Sequence, residues 1–311
     1  MPTRVVDVSN DGVRLIETKQ SLLEGDDRRF CALSHCWGPV PIIKTEKANY
    51  NEHCKAIPWE SLSKTFREAI LTTRHLGFRY IWIDSLCIKQ DDGADWAAEA
   101  ATMCDVYQYA TLTIAAAHAE DGGVGCFKDR DGLVQIPFYI EIPQVSATSP
   151  VRVLFSSYGR AEELGGGTAG LFGRAWVLQE QMLPPRLLMF DGAQLKWECL
   201  TMYGSEGSPT SGTTRNSVYH RNIRGGIMGT YKFFETVNTT YEGEKNPPFR
   251  QDYLSWCNLV EDYTHRGMTK MKDRLIALAG VAQALSRQTK HEYLAGIWSD
   301  HFATGLLWSI S

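Results

Sequence analysis

No run of this chain approaches the roughly 18 consecutive apolar residues that a membrane helix needs, and the opening MPTRVVDVSND holds no apolar core of the kind a secretory signal carries. Pro2 stands where N-myristoylation needs a glycine, and the LLWSIS end has no prenylation cysteine. The eight cysteines, at 31, 36, 54, 87, 104, 126, 199 and 257, include no C-x-x-C pair and no Cys/His cluster of metal-ligand spacing. They are expected to be reduced, mostly packed thiols, and no metal is expected. Positive charge is also short. Lys plus Arg is 32 against 36 Asp plus Glu, a net charge of −4, so the basic field that holds a phosphate backbone is missing and nucleic acid is not expected as a partner. No internal repeat appears. These absences together point to a soluble, cytoplasmic protein without a membrane span.

What is present suffices for a large core: 311 residues, 43% apolar, with nine tryptophans. FCALS (30–34) is a short apolar strand broken at His35-Cys36-Trp37-Gly38-Pro39. A helix follows, with Thr65 and Glu68 in capping-box spacing, a stripe of Phe66, Ile70, Thr73 and Leu76, and Gly77 where a C-cap glycine is expected. FRYIWID (78–84) is a nearly continuous apolar run, as in a strand covered on both faces. Trp96, Ala100, Met103, Tyr107 and Ala110 then give a second helix one core face, and Asp91, Asp92 and Asp95 place favourable charge at its N-terminus. TLTIAAA (111–117) is a third strand. The alternation predicts an α/β fold with a mostly parallel sheet and flanking helices.

Residues 118–173 interrupt that rhythm, and LVQIPFYIEI and VRVLFSS predict an inserted antiparallel hairpin. RAWVLQEQML (174–183) predicts a helix stopped by Pro184-Pro185, and RLLMF and QLKWEC flank the hairpin signal Asp191-Gly192. Residues 201–248 read as a polar connection, and helical patterns at 252–265, 272–287 and 293–308 as a C-terminal helical segment spanning 249–311.

Three blocks, ALSHCWG (32–38), GFRYIWIDSLCIKQDDGADWAAEAATMCDVYQYATLTIAAA (77–117) and GRAWVLQEQMLPPRLLMF (173–190), resemble the HET domain, the fungal heterokaryon-incompatibility module. The resemblance covers residues 1–200, with the insertion at about 118–173, and extends loosely into 250–311. It implies non-self recognition and programmed cell death, a form of innate immunity, and a core similar to TIR domains, which are flavodoxin-like. NAD-cleaving TIR domains carry a catalytic Glu in a W-C-x-x-E motif after their third strand. Trp176-Val177-Leu178-Gln179-Glu180 keeps the Trp-to-Glu spacing, with Val177 in place of the cysteine.

The resemblance therefore implies an NAD glycohydrolase with Glu180 as its catalytic carboxylate, NAD as substrate and no cofactor. The substrate side is expected from Ser34 and Trp37 past the first strand, Asp84 and Ser85 past the second, and Arg174 and Trp176 beside the Glu. TIR resemblance further implies a homo-oligomer on activation and an upstream receptor or sensor. Blander readings stand beside these. Glu180 is equally readable as a surface carboxylate paired with Arg174 or Arg186, and Asp84 as a turn cap. The chain is then a non-enzymatic death-signalling module that self-associates. A third reading is a thiol hydrolase built on Cys36 or Cys87. His35 and Cys36 are adjacent on a strand end, so their side chains diverge and do not pair. Gly165, Gly167 and Gly170 match G-x-G-x-x-G but do not follow a strand, and read as a loop.

Overall fold

A computed structural model of the chain describes residues 1–9, 12–129, 138–142, 151–155, 170–199, 202–206, 208–213, 251–289 and 291–306. Its strands are β1 (Arg4–Asp7), β2 (Arg14–Glu17), β3 (Phe30–Ser34), β4 (Tyr80–Trp82), β5 (Leu112–Ala115), β6 (Phe138–Ile142), β7 (Val151–Phe155), β8 (Arg186–Phe190), β9 (Leu195–Cys199), β10 (Met202–Ser205), β11 (Ser208–Thr213), β12 (Tyr293–Leu294) and β13 (Ile297–Trp298). The α-helices are α1 (Thr18–Ser21), α2 (Tyr50–Lys55), α3 (Lys64–His75), α4 (Asp84–Cys87), α5 (Gly93–Tyr109), α6 (Val177–Met182), α7 (Gln251–His265), α8 (Arg274–Thr289) and α9 (Phe302–Gly305).

Nine strands form one sheet in the order β11-β10-β9-β8-β5-β3-β4-β1-β2. Its centre is parallel: β3 pairs with β4 and β5, and β5 with β8. The flanks are antiparallel hairpins that the periodicity did not bring out at β1–β2 and at β10–β11. The reason is length, because four-residue strands such as RVVD and RLIE are too short to display a period. The strand order reverses at β3, since β4 lies on one side of it and β5 on the other. Such a reversal opens a crevice at the carboxyl ends of the strands.

The central strands are buried along their whole length, as their unbroken apolar runs require. Around them Phe30, Leu33, Phe66, Ile70, Tyr80, Ile81, Trp82 and Ile114 pack into one core, each large side chain contributing roughly 1.5–3 kcal/mol of burial. Helix α3 ends as its sequence predicts. Gly77 takes φ +77, Gly77 N donates to Arg74 O, and Phe78 N donates to Thr73 O, the Schellman arrangement. Its start corrects the expected capping box. Ser63 is the N-cap, and its hydroxyl accepts from Phe66 N at 3.3 Å. Glu68 Oε2 instead accepts from Cys126 N at 2.6 Å and Phe127 N at 2.7 Å, so the carboxylate serves the loop that follows β5 rather than the start of its own helix.

Helix α5 is capped by Asp92, which accepts from Ala94 N and Asp95 N. Asp95 is an ion-pair partner of buried Arg4 at 2.6 Å, which locks the first strand to the start of α5. The expected insertion hairpin is present as the separate pair β6–β7. Asp191-Gly192 joins β8 to β9, with Gly192 at φ +84.

Three expectations change toward the C-terminus. The expected helix 174–183 shortens to α6, because residues 171–173 form a 3-10 turn first. The stretch expected as a connection from 201 opens with β10 and β11, which extend the sheet, while 214–250 lies outside the described residues. Where a helix was expected over 293–308, residues 293–306 form the β12–β13 hairpin, a 3-10 turn and the four-residue α9, and 307–308 lie outside the described residues. The hairpin's apolar residues, Tyr293 and Trp298, stack on Trp256 of α7 instead of tracking one helix face. Helices α7 and α8 do form, and α8 packs against α5 and α6. A second core of Leu178, Met182, Trp256, Tyr263, Leu278, Val281 and Trp298 fills that junction. No described helix is long and apolar enough to cross a membrane.

Candidate functional site

Ser34 is the last residue of β3 and pairs with Ala115 across the point where strand order reverses. The register Ala32↔Trp82 carries Asp84 two residues beyond its strand pair, as Ser34 is on β3. The sheet thus delivers both segments to one end. Trp37 Nε1 donates to Asp84 Oδ2 at 2.8 Å, and Ser85 N donates to Asp84 Oδ1 at 2.7 Å. His35 Nε2 lies 3.7 Å from Asp84 Oδ1. The carboxylate of Asp84 is therefore a junction between two loops, and it is not the cap its position suggested, since Ile83 is the N-cap of α4.

Glu180 reaches the same place from α6. Trp176 is the residue that precedes this helix and Glu180 is four residues on, so both face one way. Glu180 is only 7% exposed. Burial pushes its carboxyl up to about 7, with the charge of Asp84 acting in the same direction, while Ser34, Arg174 and Tyr107 pull it down. Ser34 Oγ is close enough to favour the carboxylate, yet it completes no hydrogen bond of good geometry. Tyr107 donates its hydroxyl to Leu33 O at 3.1 Å, and burial holds that phenol well above its ordinary range.

Arg174 closes the ring of groups by donating from Nη1 to His35 O at 3.0 Å. Among the described residues it forms no salt bridge with Glu180, and Arg186 points elsewhere, to Thr111 O at 3.3 Å. The surface ion-pair reading of Glu180 is therefore overturned, because the residue is buried.

All seven residues singled out from sequence gather at this end of the sheet, in two tiers. Trp37, Asp84, Arg174 and Trp176 are half-buried and reach the surface. Ser34 and Ser85 are 1% and 0% exposed, with hydroxyls that find no hydrogen-bond partner among the described residues, and lie behind them. The two indoles are partly engaged: Lys44 Nζ sits 4.8 Å from the Trp37 ring centroid, and Trp176 packs edge-on against Trp96 at 6.3 Å. Tyr107 and His35 join the site without having been assigned to it. Tyr107 sits on the core stripe of α5, and nothing in that stripe distinguishes it from a packing residue.

The thiol readings do not survive. Cys87 is fully buried, and burial pushes it up to about 12. Cys36 is buried against Leu171 and Val177, and burial raises it too, while the His35 ring packs edge-on against Phe66. At about 12 the Cys87 thiol is inert at neutral pH, and Cys36 is enclosed by apolar side chains. Among the described residues, no three His, Cys, Asp or Glu side chains gather as a metal site. Gly165 and Gly167 lie outside the described residues, whereas Gly170 takes φ +117 just before the turn that leads into Arg174. A cleft of about 420 Å³ lies at the opposite end of the strands, lined by Asp7, Arg14, Glu17, Tyr50, Arg79 and Tyr80. There Asp7 is neutralised by Arg79 and Arg14 at 2.9 and 3.4 Å, so it is already satisfied internally.

No curated protein and no solved structure matches the chain. Residues 30–180 match the family described as heterokaryon incompatibility protein (HET). That segment runs from the first residue of β3 to Glu180 itself and is what the chain shares with the HET family.

Proposed function

We propose that this chain is an NAD-cleaving effector of the cell death that accompanies heterokaryon incompatibility, releasing nicotinamide with Glu180 as its catalytic carboxylate. The observation that carries the reading is a buried carboxyl, pushed up to about 7, beside Trp176 and Asp84 at the carboxyl ends of parallel strands. The parallel order β4-β3-β5-β8 corresponds to 2-1-3-4 counted along the chain, the flavodoxin-like order expected of a TIR-like core. The HET match supports the cell-death role.

The chemistry asks little of the protein. The bond between C1′ of the ribose and the nicotinamide nitrogen breaks, and its electron pair stays on nitrogen, so the leaving group departs neutral. The ribose gains oxocarbenium character, which ionised Glu180 stabilises. Water adds to C1′ and releases its proton to solvent. Arg174 suits the pyrophosphate, Trp37 and Trp176 the flat bases, and Asp84 a ribose hydroxyl. Ser34 and Ser85, lying deeper, act on the carboxylate and the strand ends rather than on an open surface. Because Glu180 is so enclosed, substrate entry requires one wall to move, and we assign that movement to homo-oligomerisation downstream of a receptor or sensor.

The same enclosure favours the second reading, a non-enzymatic module that signals by homotypic association and keeps Glu180 as a structural carboxyl. Nicotinamide release from NAD, measured for the purified chain and for Glu180→Gln at matched and raised concentrations, separates the two. Release that rises with concentration and vanishes in the variant supports the enzyme. No release from a folded, self-associated chain supports the module, and release that survives the variant removes Glu180 from the site.

A further inference from the structure

Glu180 is the middle residue of Gln179-Glu180-Gln181, and both glutamines are held by chain that lies beyond the HET match. Gln179 Nε2 donates to Ala277 O at 2.7 Å, and Arg266 Nη2 donates to Gln181 Oε1 at 2.9 Å. Gln179, Gln181 and Arg266 are all buried. The backbone is joined at the same place. Ala175 N donates to Gly267 O at 2.9 Å, and Gly267 N donates to Gly173 O at 2.6 Å. Gly280 gives Gln179 its room, because a Cβ at 280 would lie 2.3 Å from Gln179 Oε1.

Helix α6 has six residues, fewer than the roughly 12–15 that an isolated helix needs to be even marginally stable in water. Its orientation is therefore set by what it touches. Successive residues on a helix lie about 100° apart, so Gln179 and Gln181 project to either side of Glu180. Turning the helix either way stretches one of the two hydrogen bonds. The pair fixes the azimuth at which Glu180 points toward Ser34 and Tyr107.

We propose that Arg266, acting through Gln181, and the Ala277–Gly280 seat, acting through Gln179, are positioning residues for Glu180. The segment 266–280 is then part of the site, and residues 30–180 do not form a competent unit without it. The consequence for activity rests on the Glu180 reading above. The clamp itself has a readout that does not.

The test uses the full chain. Carbon-13 NMR of labelled glutamate follows the Glu180 carboxyl, assigned by its absence in Glu180→Gln, alongside kcat and KM for nicotinamide release. Arg266→Met removes the bond to Gln181. Asp262→Asn is the control, since it keeps Arg266 and its bond to Gln181 and removes only the charge of the half-exposed carboxylate that Arg266 Nη2 and Nε also contact, at 2.7 and 2.9 Å. With the clamp cut, water reaches α6. The Glu180 midpoint in Arg266→Met is expected to fall by about one pH unit or more toward the ordinary glutamate range. The kcat is expected to fall about tenfold or more with KM within about threefold. Asp262→Asn is expected to change neither. If Arg266→Met does not fold, Gln181→Met cuts the same bond from the helix side and is judged by the same criteria. An unchanged Glu180 midpoint in a folded variant overturns the proposal. If the wild type releases no nicotinamide, the function reading fails, and the midpoint alone still decides the clamp.

Discussion

Trp37 Nε1 donates to Asp84 Oδ2 at 2.8 Å, tying the loop that leaves β3 to the turn that leaves β4. The two residues are 47 positions apart and meet because their strands are parallel neighbours. Trp37→Phe keeps the ring but loses the donor. Asp84 is partly solvated, so the cost is about 1 kcal/mol rather than that of a buried charged bond. Urea unfolding is expected to show that small loss of stability. In the enzyme reading, KM for NAD rises more than kcat falls, because Asp84 loses its fixed orientation while Glu180 is untouched.

The pH dependence of nicotinamide release follows from the burial of Glu180. Its carboxyl is held up to about 7, and the ionised form is the one that stabilises an oxocarbenium. Release is therefore expected to climb as pH rises through about 7 and to level off above it. A kcat profile across that window checks this, and a profile already flat well below neutrality rules out an ionising Glu180.

Glu198 is another buried carboxyl, on β9, and its Oε1 has no hydrogen-bond partner among the described residues. Burial pushes it up to about 8, against an ordinary value of 4.5. Between those values the folded chain keeps a proton that the unfolded chain has released, so stability falls as pH rises across the window. Gln at 198 has no proton to lose. Thermal melts of Glu198→Gln and wild type are expected to be close near pH 5 and to separate by several degrees in favour of the variant near pH 8, roughly the shift expected for a few kcal/mol.

Gly280→Ala tests the junction between α6 and α8. An alanine in a helix gains about 1 kcal/mol over glycine. Here the new Cβ would meet Gln179 at 2.3–2.8 Å, and that side chain is 1% exposed and bonded to Ala277 O. Overpacking costs roughly 1–3 kcal/mol, so the net effect is destabilising by about 1 kcal/mol in urea unfolding. A stabilised variant instead means that Gln179 has room to move aside.

The alternation of buried strands and one-faced helices was legible between 30 and 117, because β3, β4 and β5 are mostly apolar and α3 and α5 each keep a core-facing stripe. Gly77 needed no tertiary information, since a left-handed residue at a helix end is a local requirement. The hairpin at Asp191-Gly192 and the stop at Pro184-Pro185 were legible for the same reason. The convergence of Ser34, Trp37, Asp84, Ser85, Arg174, Trp176 and Glu180 followed from placing them at strand ends and on the helix that comes next.

Tertiary structure alone decided what the local pattern does not encode. Outer strands of four residues are recruited by a neighbour's backbone hydrogen bonds, not by periodicity, so β1, β2 and β10 were invisible. Glu68 was predicted to close its own helix and instead binds the loop at Cys126, a partner 58 residues away. Tyr293 and Trp298 lie in a stretch whose pattern predicted a helix, but they pack on Trp256, which only the folded chain brings near. Burial of Glu180 is the largest such decision. Its helix is too short to stand alone, and the residues that press it into the core, from Arg266 to Gly280, lie far along the chain, so its environment and its raised pKa belong to the assembled fold rather than to any local motif.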